Sequence, residues 1–536
     1  MRQCKFSVAD GLLAAAAVLY LCTFALFNTL GFAEFATADV YADTLYAMEA
    51  WDSRSIFPDG WSFGNQYYVV ATPVLAALFY GLTGSPNPAM ALATASMTVL
   101  LLLSLDWLLR PFAAPRQRLA AAVLLMGGMI VPHAVESNEG QLLFVLASYY
   151  SCYLIALFVT LGDYLRAVAD PRRPLWRGST VLAAALLFAT GMHSLRQTAI
   201  CVLPLAALEV CRLLLRLLRR QPVRDSLRVT ARAALYAAAN LGGVLFMRAL
   251  DVPRTGMFAE TTWRTTGWGE AAAVNGRILA KLTGFWYVFH EENGWAYLLL
   301  AVLFCGLLIA SLVRSVRAVI AARSVEDQPF FLALCFFLIG LAGLFALNFF
   351  FEMSYFRTMY CFTWYAFTAV SIASLLAPLG HAWRSRALAA LAAAGCIGSW
   401  AVGWLPDLGR CFAPESPPVY DEIADCLVER GYRYLYGSWY IVPLVALRTD
   451  GACRGCAYYG EIFRVLPYIN PQDSYGPAEN AEAAYLLTAG ELPYALAIAA
   501  ERGAALTEVA LFAGGEYGLY ESDLPLMRAD LSDDAQ

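Results

Sequence analysis

Two aspartates four residues apart, Asp39 and Asp43, are followed one helical turn later by Tyr46. On a helix the i, i+4 and i+7 positions share a face, so the three side chains would stand in a row. They lie just beyond the first long apolar run, Gly11–Phe32, and so close to a membrane surface. A carboxylate held there can take a proton from an attacking hydroxyl or amine. The bland alternative is a solvated acidic face, because short charge runs of this kind are common. Arg196 and Arg357 are two further residues with chemical potential. Both fall at the ends of apolar runs, on the side that basic residues usually avoid. A guanidinium suits bidentate contact with a phosphate, but it also pairs with a loop carboxylate such as Glu352 or snorkels to the interface. His133, His193, His290 and Glu136 are metal-ligating types, yet no HxxxH or HxH spacing occurs, so no metal is expected.

The elements that must position these residues are membrane spans. The chain has 536 residues, of which 60% are hydrophobic and 15% charged, too little charge for a soluble protein of this length. Runs such as Phe330–Phe351 are long enough to cross ~30 Å of hydrocarbon. The first run is too long for a signal core and lacks a clear cleavage site, so it is read as a retained span. Arg and Lys cluster at Arg2/Lys5, Arg110–Arg118, Arg166–Arg177, Arg212–Arg232, Arg314–Arg323 and Arg384/Arg386. If all are cytoplasmic, an even number of crossings must separate each pair. Spans near 9–31, 89–109, 119–135, 142–165, 180–193, 198–216, 232–249, 296–313, 330–351, 359–379 and 387–405 satisfy this. That predicts an α-helical polytopic membrane protein of about eleven transmembrane helices, with its N-terminus cytoplasmic and its C-terminus outside. Tyr68–Leu82 is left over. Counting it would invert the charge pattern, so it is read as an interfacial or re-entrant helix, like Asn275–His290 with its interleaved Arg277, Lys281, Trp286 and Tyr287.

The outer side then carries a first loop at 33–87, a short second loop at Glu136–Gly140, a third at 250–295, and a domain at 406–536 after the membrane module at 1–405. That domain reads as α/β. Val419–Arg430 and Pro493–Arg502 have helical patterning, and Tyr432–Tyr436, Ala484–Thr488 and Val509–Leu511 read as strands. Its cysteines, Cys411, Cys426, Cys453 and Cys456, could pair as disulfides if the domain is outside. Cys453-x-x-Cys456 is half a zinc knuckle, with no second half and no nearby His. No internal repeat is evident, and a net charge of −5 excludes a nucleic-acid partner.

The first loop, with an acid just after the first span and then Tyr-Ala, Ala-Met and Pro, resembles that of the GT-C membrane glycosyltransferases, such as protein O-mannosyltransferases and aminoarabinose transferases. Their pattern is Asp-Glu-x-x-Tyr-Ala, the first acid being the catalytic candidate. Asp39 matches by position, but Val40 replaces the Glu; Asp43 matches by spacing, with Tyr46-Ala47 one residue early and Thr44 in place of the Glu. Pro73, Gly81 and Gly84 are similar to the family's interfacial helix. Glu136 and Glu139 stand where a second acid follows the third span. Gly191–Pro204, with His193, Arg196 and Pro204, looks like the family's outer hairpin, and Tyr355-Phe356-Arg357-Thr-Met-Tyr360 like its late Arg-Tyr site. The resemblance implies a transferase moving a sugar from a polyprenyl-phosphate-linked donor to a glycan, lipid or protein on the outer face. It implies Asp39 or Asp43 as the base, Arg196 and Arg357 on the donor phosphate, and Glu136, Glu139, Tyr41, Tyr355 and His193 as substrate contacts. No cofactor is implied. Two other classes stay open: a transporter or flippase, for which acids inside spans (Asp106, Glu209) would be the mark, and a non-catalytic envelope assembly protein.

Overall fold

The computed structural model describes residues 7–64, 66–218, 220, 226–253, 262–322, 324–352, 356–376, 382–459, 463–466 and 482–527. The chain folds as two compact units. One comprises Met1–Ala25, Ala95–Leu250 and Phe258–Gly409; the other comprises Leu26–Thr94, Asp251–Met257 and Arg410–Gln536.

The helices are α1 (Val8–Thr29), α2 (Ala38–Asp52), α3 (Thr72–Thr83), α4 (Pro86–Leu109), α5 (Pro115–Gly127), α6 (Ser151–Ala169), α7 (Gly178–His193), α8 (Leu203–Leu218), α9 (Leu227–Leu250), α10 (Trp268–Leu282), α11 (Gly294–Ala321), α12 (Pro329–Phe350), α13 (Thr363–Leu375) and α14 (Ala382–Gly403). A π-helical turn, Thr198–Val202, leads into α8. All eleven expected spans are helical over part of their length. Among the described residues, eight helices are long and apolar enough to cross a membrane: α1, α4, α6, α8 with its π turn, α9, α11, α12 and α14. The other three, α5, α7 and α13, have 13, 16 and 13 residues. The shortfall is greatest after α5. That helix stops at Gly127, and residues 128–150 run as turns although most are buried. Gly128 and Pro132 disfavour helix, and His133, Asn138, Leu146 and Ser148 take positive φ. The expected short loop Glu136–Gly140 is therefore the centre of a 23-residue buried excursion. Irregular backbone at such depth is tolerated where protein surrounds it or a cavity lies beside it.

Inside the first unit Asp106 and Glu209 are paired. Asp106 meets Arg118 at 2.5 Å. Glu209 takes hydrogen bonds from Arg212 (2.7 Å), Tyr164 (2.6 Å) and Thr230 (2.6 Å). The acids expected to mark a transport path are thus held in fixed pairs, which is a structural use.

The second unit is built on a six-stranded sheet: β1 (Tyr434–Ser438), β2 (Arg454–Tyr459), β3 (Arg464–Val465), β4 (Ala483–Thr488), β5 (Leu506–Phe512) and β6 (Tyr517–Ser522), in the order β3-β2-β1-β4-β6-β5. β1 runs parallel to β2 and β4, and the remaining pairs are antiparallel. The helices α15 (Val419–Arg430), α16 (Val442–Arg448) and α17 (Leu492–Arg502) complete the expected α/β domain. Alternation along the strands splits the core into two layers. Tyr436, Cys456 and Tyr485 face one side; Leu435, Cys453 and Leu486 belong to the other. Cys411, Cys426, Cys453 and Cys456 are all unbridged. The alternation sends Cys453 and Cys456 into opposite layers, so these two do not face each other, whereas Cys426 packs in the same layer as Cys453.

Helix α2 belongs to this unit. Its Tyr41 hydroxyl accepts a hydrogen bond from the Gly455 amide at 2.5 Å. Arg454 forms ion pairs with Glu49 and, at 2.8 Å, with Asp52. A Cβ at Gly455 would lie 2.8 Å from Val442 and 3.1 Å from the Tyr41 hydroxyl, so glycine permits this close approach.

Candidate functional site

Helix α2 starts at the N-cap Thr37, whose side chain accepts from the Val40 amide. Asp39 in its first turn is exposed, and Asp43 one turn on is 1% exposed. Asp43 shares a hydrogen bond with Tyr68, and its second carboxylate oxygen has no hydrogen-bond partner. Burial is the chief reason that its carboxyl is pushed up to about 8, against the Tyr68 hydrogen bond; the neighbouring charge of Asp39 adds to the rise. The Tyr46 hydroxyl donates to the Ile56 carbonyl at 2.8 Å, and its ring lies among Trp61, Phe63 and Tyr68 at 4.8–5.8 Å. The expected row of three does share one helix, but only Asp39 faces solvent. Asp43 is a neutral hydrogen-bonding group near pH 7.

This arrangement carries a stability prediction. Folded Asp43 holds its proton up to about pH 8, whereas an unfolded aspartate loses it near pH 4. Between those values the folded state binds the extra proton, so stability falls as pH rises, by about 1.4 kcal/mol per pH unit at most. Asp43→Asn should flatten this slope, and unfolding midpoints from pH 5 to 9 check it. An unchanged slope would exclude a buried, protonated Asp43.

The first unit holds a cavity of about 390 Å³ lined by Ser137, Asn138, Glu139, Arg277, Lys281 and Arg357, with Val274, Ile278 and Phe356–Met359. Arg277 and Lys281 come from one face of α10 at i, i+4 spacing. Arg357 and Thr358 come from the start of the 3-10 turn Thr358–Cys361. Glu139 comes from the buried excursion after α5 and is 7% exposed. Burial raises its carboxyl to about 7, opposed by the Tyr365 hydroxyl, which donates to it at 3.0 Å, and by the charge of Lys281. Three cationic side chains around one half-titrated carboxyl make a site for an anion with several oxygens. Arg277 and Lys281 read as part of an interfacial helix in the sequence; their basic i, i+4 pairing is the signal for them. Tyr365 gave none.

Arg196 does not line this cavity. Its guanidinium stacks over Tyr150 at 4.5 Å, with Tyr153 at 5.4 Å and Tyr360 at 5.9 Å. Tyr360 sits in the same turn as Arg357's neighbours. His193, 1% exposed, packs edge-on against Tyr153 at 5.7 Å. Glu136 is exposed and lies 3.8 Å from His133 Nδ1, which meets the buried Asp407 at 2.7 Å. That last spacing is a hydrogen bond, and the ligand atoms of His133, Glu136 and Asp407 lie within 4.8 Å of one another, a grouping able to hold a metal ion. Tyr41 is engaged by Gly455, as described. Tyr355 lies outside the described residues.

No protein-family model matches the chain, and no curated protein is detectably similar to it in sequence. Solved structures are similar in fold. A crystal structure of ArnT from Cupriavidus metallidurans bound to undecaprenyl phosphate matches with a TM-score of 0.56 at 12% identity, covering 97% of this chain and 98% of that one. The oligosaccharyltransferase AglB from Archaeoglobus fulgidus, in complex with an inhibitory peptide and a dolichol-phosphate, gives a TM-score of 0.49 at 13% identity, over 97% of this chain and 75% of that one. The match to ArnT runs along nearly the whole of both chains, and this chain shares that protein's fold.

Proposed function

We propose that this chain is a membrane glycosyltransferase that moves a sugar from a polyprenyl-phosphate-linked donor to a glycan, lipid or protein acceptor on the outer face. The observation that carries the reading is the cavity of Arg277, Lys281, Arg357 and Glu139, in a chain with the fold of a protein solved with undecaprenyl phosphate. When the sugar leaves, negative charge grows on the donor phosphate. Fixed cations at that oxygen stabilise the transition state more than the ground state. Arg357, Arg277 and Lys281 have this role; Arg196, in its tyrosine cage, is a further contact for the phosphate, with His193 beside it. Glu139, titrating near neutrality, accepts or returns a proton within the donor site. Asp39, exposed at the start of α2, is the general base toward the acceptor, and Asp43, protonated, donates a hydrogen bond. Glu136 and Tyr355 contact substrate. Tyr41 acts indirectly, by fixing α2 on the sheet. The N-terminus is cytoplasmic and residues 406–536 form an outer domain that helps bind the acceptor.

The test is binding of undecaprenyl phosphate to the purified full-length protein. Lys281→Gln and Arg357→Gln should each weaken binding roughly tenfold, since one charge-assisted hydrogen bond carries about that much. Wild-type affinity in the double variant would overturn the assignment of the cavity.

A further inference from the structure

The first unit has a second polar cavity, of about 490 Å³, where α11 ends and α12 begins. This is the end of the bundle that carries the basic connections Arg110–Arg118 and Arg314–Arg323. Arg314 from α11, Asp327 from the connecting turn, Ser374 from α13, and Phe112 and Phe330 are among its walls. The Arg314 guanidinium is held in place by a hydrogen bond to the Leu375 carbonyl at 2.8 Å. Ser374 is 6% exposed, and its hydroxyl has no hydrogen-bond partner in the structure. A helical serine commonly bonds back to the preceding turn, so a buried hydroxyl left over on a cavity wall asks for an acceptor from the occupant. Asp327 is exposed, at the opening. Phe112 and Phe330 meet edge to face with centroids 4.9 Å apart and form an apolar lip.

We propose that this cavity binds the headgroup of one zwitterionic phospholipid with a primary amine, a phosphatidylethanolamine. Arg314 and the Ser374 hydroxyl take the phosphate. Asp327 takes the ammonium. The glycerol and the first methylenes of the acyl chains lie on Phe112 and Phe330. The pairing of one cation with one anion is what selects this class: an anionic headgroup would meet Asp327 unfavourably. A choline headgroup has no N–H to donate to the carboxylate. The apolar lip at the ends of two membrane helices favours a lipid over a soluble phosphate ester. The site is separate from the donor cavity, and the inference rests on the membrane fold, not on glycosyl transfer.

Native mass spectrometry of the full-length protein released from nanodiscs of equal parts phosphatidylethanolamine, phosphatidylglycerol and phosphatidylcholine tests it. One phosphatidylethanolamine should be retained in preference to the others. Asp327→Asn should reduce that preference roughly tenfold, the effect of one charge-assisted contact. Asp327 is exposed, so this variant keeps its fold. Ser374→Ala should weaken retention of all three lipids. Equal retention by the wild type, a preference for phosphatidylglycerol, or a preference unchanged in Asp327→Asn would each overturn the proposal.

Discussion

Asp39→Asn is expected to lower sugar transfer by 10²–10⁴-fold, the usual contribution of a positioned general base. The substitution keeps the shape of the side chain and removes its ability to accept a full proton. Asp39 is exposed in the first turn of α2, where the positive end of the helix dipole favours a negative side chain. Asp43 is a poorer base at neutral pH because its proton is already bound below about pH 8. Asp43→Asn keeps a hydrogen-bond donor beside Tyr68 and should cost far less activity than Asp39→Asn. The measurement is the mass of the outer-face glycan or lipid in cells carrying each variant, alongside undecaprenyl phosphate binding by the purified proteins. Binding should be unaffected in both, because neither aspartate lines the cationic cavity. If Asp43→Asn abolishes transfer and Asp39→Asn does not, the two roles are exchanged. If both variants are fully active while deletion of the whole protein removes a glycan, neither aspartate is the base.

Much of this was legible because a bilayer imposes simple rules. Long uncharged runs located a helix in each of the eleven expected spans, eight of them long and apolar enough to cross a membrane, since an apolar helix is the only cheap way for this backbone to cross. Strand alternation and the helical pattern of Val419–Arg430 did the same for the C-terminal α/β domain. Residues 128–150 were misread because the sequence there is as apolar as a span. What makes it irregular is Gly128, Pro132 and four residues at positive φ, whose cost only surrounding contacts offset. The same excursion brings Glu139 into the cavity, so the misread segment and the candidate site coincide. Asp39 and Asp43 could not be ranked from spacing, because burial decides between them and i, i+4 geometry says nothing of burial. The strand β2 was missed for a related reason: its Arg454, Gly455 and Cys456 have weak strand patterning and are fixed by pairing to β1 and by α2.

Asp163→Ala is expected to destabilise the membrane unit by about 3–5 kcal/mol, the range for breaking a buried ion pair from one side. Asp163 on α6 is fully buried and accepts hydrogen bonds from Ser179 (2.6 Å), Thr180 (2.8 Å) and Tyr236 (2.7 Å). Arg232 and Arg173 lie 3.1 and 3.2 Å from its oxygens. One carboxylate thereby ties α6 to α7, α9 and the connection between α6 and α7. The loss would come mostly from what remains. Arg232 is 1% exposed, and without Asp163 its buried charge keeps, among the described residues, the Pro174 carbonyl (2.7 Å) and the longer Arg173 carbonyl contact. The double variant Asp163→Leu with Arg232→Leu removes both charges and fills part of the space. It should recover a large share of the stability that the single variant loses. Recovery stays incomplete because Ser179, Thr180 and Tyr236 donate hydrogen bonds to Asp163 that a leucine cannot accept. Thermal unfolding in detergent of the wild type, Asp163→Ala and the double variant measures both effects. A double variant less stable than Asp163→Ala would mean that Arg232 stabilises the bundle without Asp163, through the carbonyls of residues 173 and 174.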